Sequence, residues 1–324
     1  MKETATSASP SRAGTEGMVF IPGGTFSMGS EDFYPEESPV HKVSVDGFWM
    51  DRHVVTNTDF RRFVEATGYV TLAERPANAD DYPGAKPEML VPSSVVFQKP
   101  AGRVGLDNHY NWWAYVAGAD WRHPQGPGSS LQGKWQHPVV HVAWEDVVAY
   151  ARWIGKELPT EAEWEFAARG GLEGRIYAWG DEFAPGGKQM ANTWQGEFPW
   201  QNLLLDGYEG TAPVASFPPN GYGLYEMTGN VWEWTTDWYQ SHDRIERACC
   251  TLENPRGGQQ EESIDPRTPD IRIPRRVMKG GSHLCAPNYC HRYRPAARMA
   301  QGVDTSTSHL GFRLIVRGVA AAAT

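Results

Sequence analysis

The sequence predicts one α+β domain in which regular secondary structure is sparse. Three observations lead there. Its 324 residues include 34 glycines and 24 prolines spread along the whole length, which keeps helices few and connections long. Only three stretches carry a helical pattern, and the β-runs are short. No linker or internal repeat interrupts residues 17–317. The expected division is therefore a flexible leader at 1–16, one domain at 17–317 and a frayed tail at 318–324.

The first element is the β-run Met18-Val19-Phe20-Ile21, followed by Val43-Ser44-Val45 and Phe48-Trp49-Met50. Thr56-Asn57 then cap a helix that places Phe60, Phe63 and Val64 on one face. Residues 145–154 form the second helix, with Val147, Val148, Ala151 and Ile154 at helical spacing. In the third, Thr160 caps, Glu163 completes a capping box, and Gly170-Gly171 stop the helix after Arg169. Residues 194–230 show little periodicity and read as coil, held by something other than a hydrogen-bond ladder. The last β-run is Phe312-Arg313-Leu314-Ile315-Val316.

Hydrophobic residues at 40% and charged residues at 21% suit a folded chain. A net charge of −9 argues against nucleic acid as a partner, because phosphate binding needs a basic face. No stretch approaches the roughly 20 apolar residues of a spanning helix. The Ser-, Thr-, Ala- and Gly-rich start lacks an apolar signal core. A cytoplasmic protein with no membrane partner is expected. Most of the 14 Trp and 13 Tyr must build core, so only those beside other chemistry count as site candidates.

The four cysteines, Cys249, Cys250, Cys285 and Cys290, all lie in the last quarter of the chain, which favours a site over a framework. Cys249 and Cys250 are adjacent, which disfavours a mutual disulfide, and they read as loop thiols. Cys285 and Cys290 sit five residues apart around a proline-containing turn. Three readings stand open on residue identity. They are a small disulfide or two buried thiols, a zinc site lacking its second Cys/His pair, and a Cu(I) site. Two thiolates suit Cu(I) and would leave it open to a third thiolate from a substrate. His137 and His141 lie in an extended segment that separates their rings. His283 and His291 flank the cysteines without a ligating role, and no Gly-x-Ser-x-Gly elbow occurs.

The run Gly280-Gly281-Ser282-x-x-Cys285-x-x-x-Tyr289-Cys290-x-Arg292-Tyr293-Arg294-x-Ala296-Ala297-Arg298, with Leu310-Gly311-Phe312-Arg313, resembles the signature of formylglycine-generating enzymes. The likeness extends through Met18-Val19-Phe20-Ile21-Pro22-Gly23-Gly24, Leu158-Pro159-Thr160-Glu161 and Gly229-Asn230-Val231-Trp232-Glu233-Trp234. These last motifs belong to a wider superfamily, so the paired cysteines discriminate. The resemblance implies the formylglycine-generating enzyme/C-type-lectin-like fold. It also implies a copper-dependent oxidase that uses dioxygen to convert the cysteine of Cys-x-Pro-x-Arg, in an unfolded sulfatase, to Cα-formylglycine. By matching positions, Cys285 and Cys290 would hold Cu(I) and Ser282 and Tyr289 would line the oxygen and substrate pocket. Trp232 would pack against that pocket, and Trp112 would belong to a substrate groove and not to the core.

Asn192 and Asp206 flank the long coil, and Ca²⁺ bound by oxygen ligands is one way to clamp it. The resemblance implies such a site at Asn192, the Thr193 carbonyl, Asp206 and the Tyr208 carbonyl. A second would use the Gly229 and Val231 carbonyls with Glu233 and Glu226. Two rival functions share the domain. One is the sulfoxide-synthase relative of ergothioneine synthesis, which looks fused to a histidine-rich helical iron-binding domain that this sequence does not show. The other is a lectin-like binding module, which has no need of paired thiolates beside Ser282 and Tyr289.

Overall fold

The computed structural model describes residues 14–242, 250–268 and 270–318. Residues 1–13 of the expected leader, most of the tail, and Cys249 lie outside the described residues. Residues 14–16 belong with the domain: Thr15 is buried, and its carbonyl accepts the Met18 N–H at 3.1 Å.

The described strands fall into four small sheets. β1 (Met18–Ile21) pairs antiparallel with β4 (Phe48–Asp51), which also takes β12 (Ile315–Arg317). β2 (Gly24–Met28), β3 (His41–Val45) and β8 (Leu252–Glu253) form the second sheet. β5 (Ser93–Phe97) and β6 (Trp113–Ala117) make a two-stranded ribbon. The largest sheet has the order β10 (Arg298–Gly302), β9 (Arg275–Lys279), β7 (Trp232–Trp238), β11 (Leu310–Gly311).

Three α-helices occur among the described residues. In α1 (Asn57–Thr67), Thr56 Oγ1 accepts the Asp59 N–H at 3.2 Å while the Asp59 carboxylate accepts the Thr56 N–H. α2 (Trp144–Ile154) begins one residue before the expected start, where the Asp146 carboxylate accepts the Ala143 N–H at 2.8 Å. α3 (Glu161–Arg169) carries the predicted capping box between Thr160 and Glu163, and stops at Gly170 in the left-handed conformation. Residues 194–230 contain neither helix nor strand, as the lack of periodicity implies.

One expectation needs correction. The run 312–316 is not a single strand. β11 and β12 belong to different sheets, and between them the Phe312 and Leu314 carbonyls accept the N–H groups of Val55 and Asp51, both at 2.9 Å. Arg313 turns inward at that crossing and binds Glu233 at 2.7 Å through two nitrogens. A side chain with a buried partner outweighs local β-propensity.

α3 has no exposed face, although its sequence includes Glu161, Glu163, Glu165 and Arg169. Each charge is paired. Arg298 grips Glu161 with two hydrogen bonds (2.7 and 2.8 Å), and Lys279 reaches Glu165 at 2.9 Å and Glu161 at 3.5 Å. Arg169 binds Glu165 at 2.6 Å, and Arg317 binds Glu163 at 2.7 and 2.8 Å. Burial alone would raise the Glu161 carboxyl, but Arg298 and Lys279 outweigh it and hold it well below the usual range. Asp237 sits beside this group, accepting the Glu161 N–H at 2.7 Å. It is pushed up to about 7, first by burial and then by the Glu161 charge.

Glu161→Gln should cost about 3–5 kcal/mol, because it strands the buried Arg298 without its paired counter-charge, while Lys279 keeps Glu165. Urea unfolding measures it, with Glu65→Gln, which breaks an exposed Arg61 pair, as a control expected to change stability by less than about 0.5 kcal/mol. A carboxyl raised by folding contributes stability at low pH that is lost as pH rises through the folded value. The Asp237 contribution is therefore lost between the ordinary carboxylate range and about 7. Asp237→Asn should flatten that part of the stability–pH curve. An unchanged slope would show that Asp237 is not the titrating group.

Candidate active site

β9 and β10 pair with Lys279 opposite Arg298, so the segment 280–297 is a long loop closed at its base by a strand ladder and by the two ion pairs to α3. It leaves β9 through Gly280 and Gly281, both at positive φ (91° and 70°). A Cβ on Gly280 would lie 2.7 Å from the Met227 carbonyl oxygen, and one on Gly281 would lie 2.5 Å from that of Arg292. No side chain fits at either place, which is the physical content of the Gly-Gly pair.

Two tight turns then bring the thiols together. The Cys285 N–H donates to the Ser282 carbonyl at 2.9 Å, and the Tyr289 and Cys290 N–H groups both donate to the Ala286 carbonyl. Cys285 Sγ and Cys290 Sγ end 3.2 Å apart as free thiols. Cys285 is 2% exposed, whereas Cys290 is partly open to solvent.

The two groups are not equivalent. Burial would raise the Cys285 thiol, but the hydrogen bond from Cys290, the Ser282 N–H (3.4 Å) and the Arg292 guanidinium outweigh it and bring it below the ordinary range. Cys290 is pushed well up, by donating to Cys285, by burial and by the charge on Cys285. The two thiols lie within hydrogen-bond distance of each other, and the Ser282 N–H and the Arg292 guanidinium favour charge on Cys285.

A second layer of charge frames the loop. Arg294 makes a fully buried two-pronged pair with Glu37 (2.8 and 2.6 Å). Arg292 pairs with Glu36 at 2.5 Å and lies 3.9 Å over the Tyr34 ring, and the Tyr34 hydroxyl accepts the His291 N–H. Sequence reasoning includes Arg292 and Arg294 among the motif residues but gives them no role, and it misses Tyr34, Glu36 and Glu37. Those partners lie more than 250 residues away in sequence, and no local period marks them.

The third wall is aromatic. Tyr289, 41% exposed, stacks on Phe198 at 4.5 Å, and the Asn288 side-chain amide bonds the Phe198 backbone in both directions at 3.2 Å. The Trp194 N–H donates to the Cys285 carbonyl at 3.0 Å, so the coil that begins at 194 is part of the site. Trp112 meets Tyr289 and Phe198 edge-on at 5.3 and 5.4 Å. Its expected place outside the core is corrected: it is 1% exposed, in a cluster with Trp194, Phe198, Leu284 and Ala286. The ring supports Tyr289 from below, because an indole in this hydrophobic surround gains most by full burial.

Ser282 is also fully buried, and its hydroxyl accepts the Leu284 N–H at 3.3 Å. Trp232, on β7, is buried in the apolar cluster that includes Cys285. The histidines go elsewhere. His283 Nδ1 faces the Asn230 carbonyl at 2.8 Å, and His291 Nε2 faces the Tyr177 hydroxyl. His137 meets Thr211 while His141 meets Ser94 and Pro124, so their rings have separate partners. A cavity of about 460 Å³ between α1 and the segment 121–135 is lined by no residue of the cysteine loop.

The donor sets separate the metal readings. Among the described residues no His, Asp or Glu joins the thiols in a group of three or more. Two sulfurs alone suit a soft monovalent ion better than zinc. At the first calcium position, Asn192 Oδ1 is buried without a partner. Asp206 accepts the N–H groups of Thr193 (3.1 Å) and Tyr208 (3.0 Å), and the Gln195 amide lies against both Asp206 and the Thr193 carbonyl. A hard cation could take the free Asn192 oxygen together with Asp206 and the Thr193 carbonyl once the Gln195 amide, which now donates to both, turns aside.

The second calcium position does not fit. Glu233 gives one oxygen to Trp164 Nε1 and both to Arg313, and Glu226 accepts the N–H groups of Ala215 and Phe217. Arg313 also donates to the Glu226 carbonyl at 3.3 Å. A guanidinium already supplies the positive charge there, and a divalent ion would be repelled by it.

The sulfatase-modifying factor enzyme 1-like domain matches residues 3–318. The chain is 52% identical over 301 residues to the formylglycine-generating enzyme of Mycobacterium tuberculosis, covering 92% of this chain and 97% of that one. It is 41% identical over 304 residues to the inactive C-alpha-formylglycine-generating enzyme 2 of Bos taurus, covering 92% and 87%. In fold it resembles PvdO from Pseudomonas aeruginosa, with a TM-score of 0.61 at 25% identity over 92% of this chain and 93% of that one. A family match across nearly the whole chain, with a relative more than half identical over the same span, means that this chain belongs to the sulfatase-modifying factor enzyme 1-like family.

Proposed function

We propose that this chain matures sulfatases as a copper-dependent formylglycine-generating oxidase, acting with dioxygen on the cysteine of an unfolded Cys-x-Pro-x-Arg segment. Sulfatase maturation is the coarser reading, supported by relatives named formylglycine-generating enzyme at 46–52% identity. Because an inactive relative is 41% identical over nearly the whole chain, activity must rest on the site. The observation that carries the proposal is the pair of free thiols 3.2 Å apart, one buried and one partly open to solvent.

Cys285 and Cys290 would hold Cu(I), which supplies a soft centre for a substrate thiolate and for the reduction of dioxygen. Both groups must be thiolates to hold the ion, and the Ser282 N–H and Arg292 favour charge on Cys285. Arg292, fixed by Glu36 and Tyr34, keeps a positive charge beside the sulfurs without taking their place. Ser282 accepts the Leu284 N–H, which leaves its own proton to donate towards the reacting groups. Tyr289, backed by the buried Phe198 and Trp112, presents an apolar face that orients an extended segment.

The electron count adds a requirement. Turning a CH₂–SH group into an aldehyde with loss of hydrogen sulfide removes two electrons, while dioxygen takes up four on its way to water. A thiol-class reductant must therefore supply the other pair. A reducing cytoplasm would provide it and keep the cysteines unpaired. Ca²⁺ at Asn192, the Thr193 carbonyl, Asp206 and the Tyr208 carbonyl is proposed as a structural clamp on the coil that carries Phe198.

Mass spectrometry of a Cys-x-Pro-x-Arg peptide, incubated with Cu(I)-loaded protein, a thiol and oxygen, should show the aldehyde. Cys285→Ser and Cys290→Ser should each lose copper and turnover together, because one sulfur does not complete the site. Ser282→Ala should keep copper and slow single turnover by roughly tenfold to thousandfold, the range of a lost transition-state contact. Stoichiometric copper and normal rate in Cys290→Ser would refute the two-thiolate scheme. For the clamp, Asp206→Ala or a chelator should lower the melting temperature of the protein, and the chelator should have no further effect on the variant. Insensitivity of the wild type to chelation would rule out a calcium clamp.

A further inference from the structure

Leu203, Leu204 and Leu205 are 53%, 44% and 63% exposed, and no other described stretch shows three consecutive large apolar residues in this state. Leu204 has φ of +54°, a left-handed conformation that bulky residues rarely adopt. The loop is nevertheless firmly bonded. The Leu203 N–H donates to the Gln195 carbonyl at 2.6 Å, the Leu204 N–H to Asn202 Oδ1 at 3.2 Å, and the Gly207 N–H to the Leu204 carbonyl at 3.0 Å. A strained backbone that holds apolar side chains outward on a fixed frame points to a use for them.

Its position says which use. The same hydrogen-bonded coil contains Phe198, which stacks on Tyr289 beside Cys290, and the Gln201 N–H returns to the Glu197 carbonyl at 2.9 Å. The leucines thus stand on the outer side of the same coil that supplies Phe198 to the thiol site. We infer that Leu203–Leu205 form an accessory docking surface for apolar residues flanking the reacting cysteine in an unfolded substrate polypeptide. The inference rests on the oxidase reading for its substrate class. An unfolded chain threaded past the thiols carries exposed apolar side chains on either side of the motif, which a folded partner would have buried. Three half-exposed leucines also fall well short of the roughly 800 Å² per partner that a stable dimer needs.

The test compares the wild type with Leu203→Ser/Leu205→Ser, leaving the strained Leu204 in place. Two probes carry the motif with its cysteine replaced by alanine: a short blocked peptide, and a longer unfolded polypeptide with leucine-rich flanks. Fluorescence anisotropy should show affinity for the long probe falling about tenfold in the variant, the effect of losing partial burial of two leucines, with the short peptide unaffected. An equal melting temperature shows that the fold is intact. With cysteine restored, KM for the long substrate should rise by the same factor at constant kcat. Equal affinity of the two proteins for the long probe overturns the inference. So does a wild-type dimer, seen by sedimentation, that the substitutions dissolve, since a second copy would then be the occupant. If the wild type binds as described but makes no aldehyde from either substrate, docking stands and the oxidase reading fails. Aldehyde formation without the binding difference refutes docking and leaves the oxidase reading intact.

Discussion

The structure depends on a helix that has no water-facing side yet carries three carboxylates. An unpaired charge in such a place costs several kcal/mol, so each of Glu161, Glu163 and Glu165 obliges a cation to arrive from elsewhere in the chain. Lys279 comes from the end of β9, Arg298 from the start of β10 and Arg317 from β12. The requirement pulls three strands onto one helix. Burying apolar surface could do this more cheaply but with less discrimination between registers, because apolar packing is not directional. A two-pronged guanidinium–carboxylate pair fixes distance and orientation together.

The thiol site inherits that fixation. Lys279 and Arg298 are the residues immediately before and after the cysteine loop, so the ion pairs that complete α3 also pin both ends of that loop. Inside the loop, Arg294 on Glu37 and Arg292 on Glu36 repeat the device one layer further out. Two sulfurs held at near contact are the result. Supporting shells of this kind decide whether a pair of reactive groups is held in place or merely present.

The opposite wall obeys a different rule. Residues 194–207 have no ladder, and hold together through isolated backbone turns and through side-chain amides and carboxylates: Asn288 on Phe198, Asn202 on Leu204, Asp206 on Thr193 and Tyr208. Such a wall can carry exposed aromatic and aliphatic side chains that a strand in a sheet would bury. The two calcium expectations divide along the same line. At the first position no cationic side chain of the described residues has entered, and Asn192 Oδ1 is left without a partner. Where Arg313 has entered, the charge is already balanced.

Features set by interactions between near neighbours were legible in the sequence. Thr56 with Asp59, and Thr160 with Glu163, cap helices through contacts three residues apart, and Gly170 ends α3 within one turn. The five-residue spacing of Cys285 and Cys290 likewise shows in the chain, because one turn suffices to close it. Tertiary structure alone decided what reaches across the fold. Trp112 is core and not groove because Phe198 and Leu284 cover it; the run at 312–316 breaks because Glu233 draws Arg313 inward; and Glu37 meets Arg294 from the far end of the chain. Such partners leave no period or spacing in the sequence, since a hydrogen bond between distant residues constrains only its two ends and is specified by the packing that brings them together.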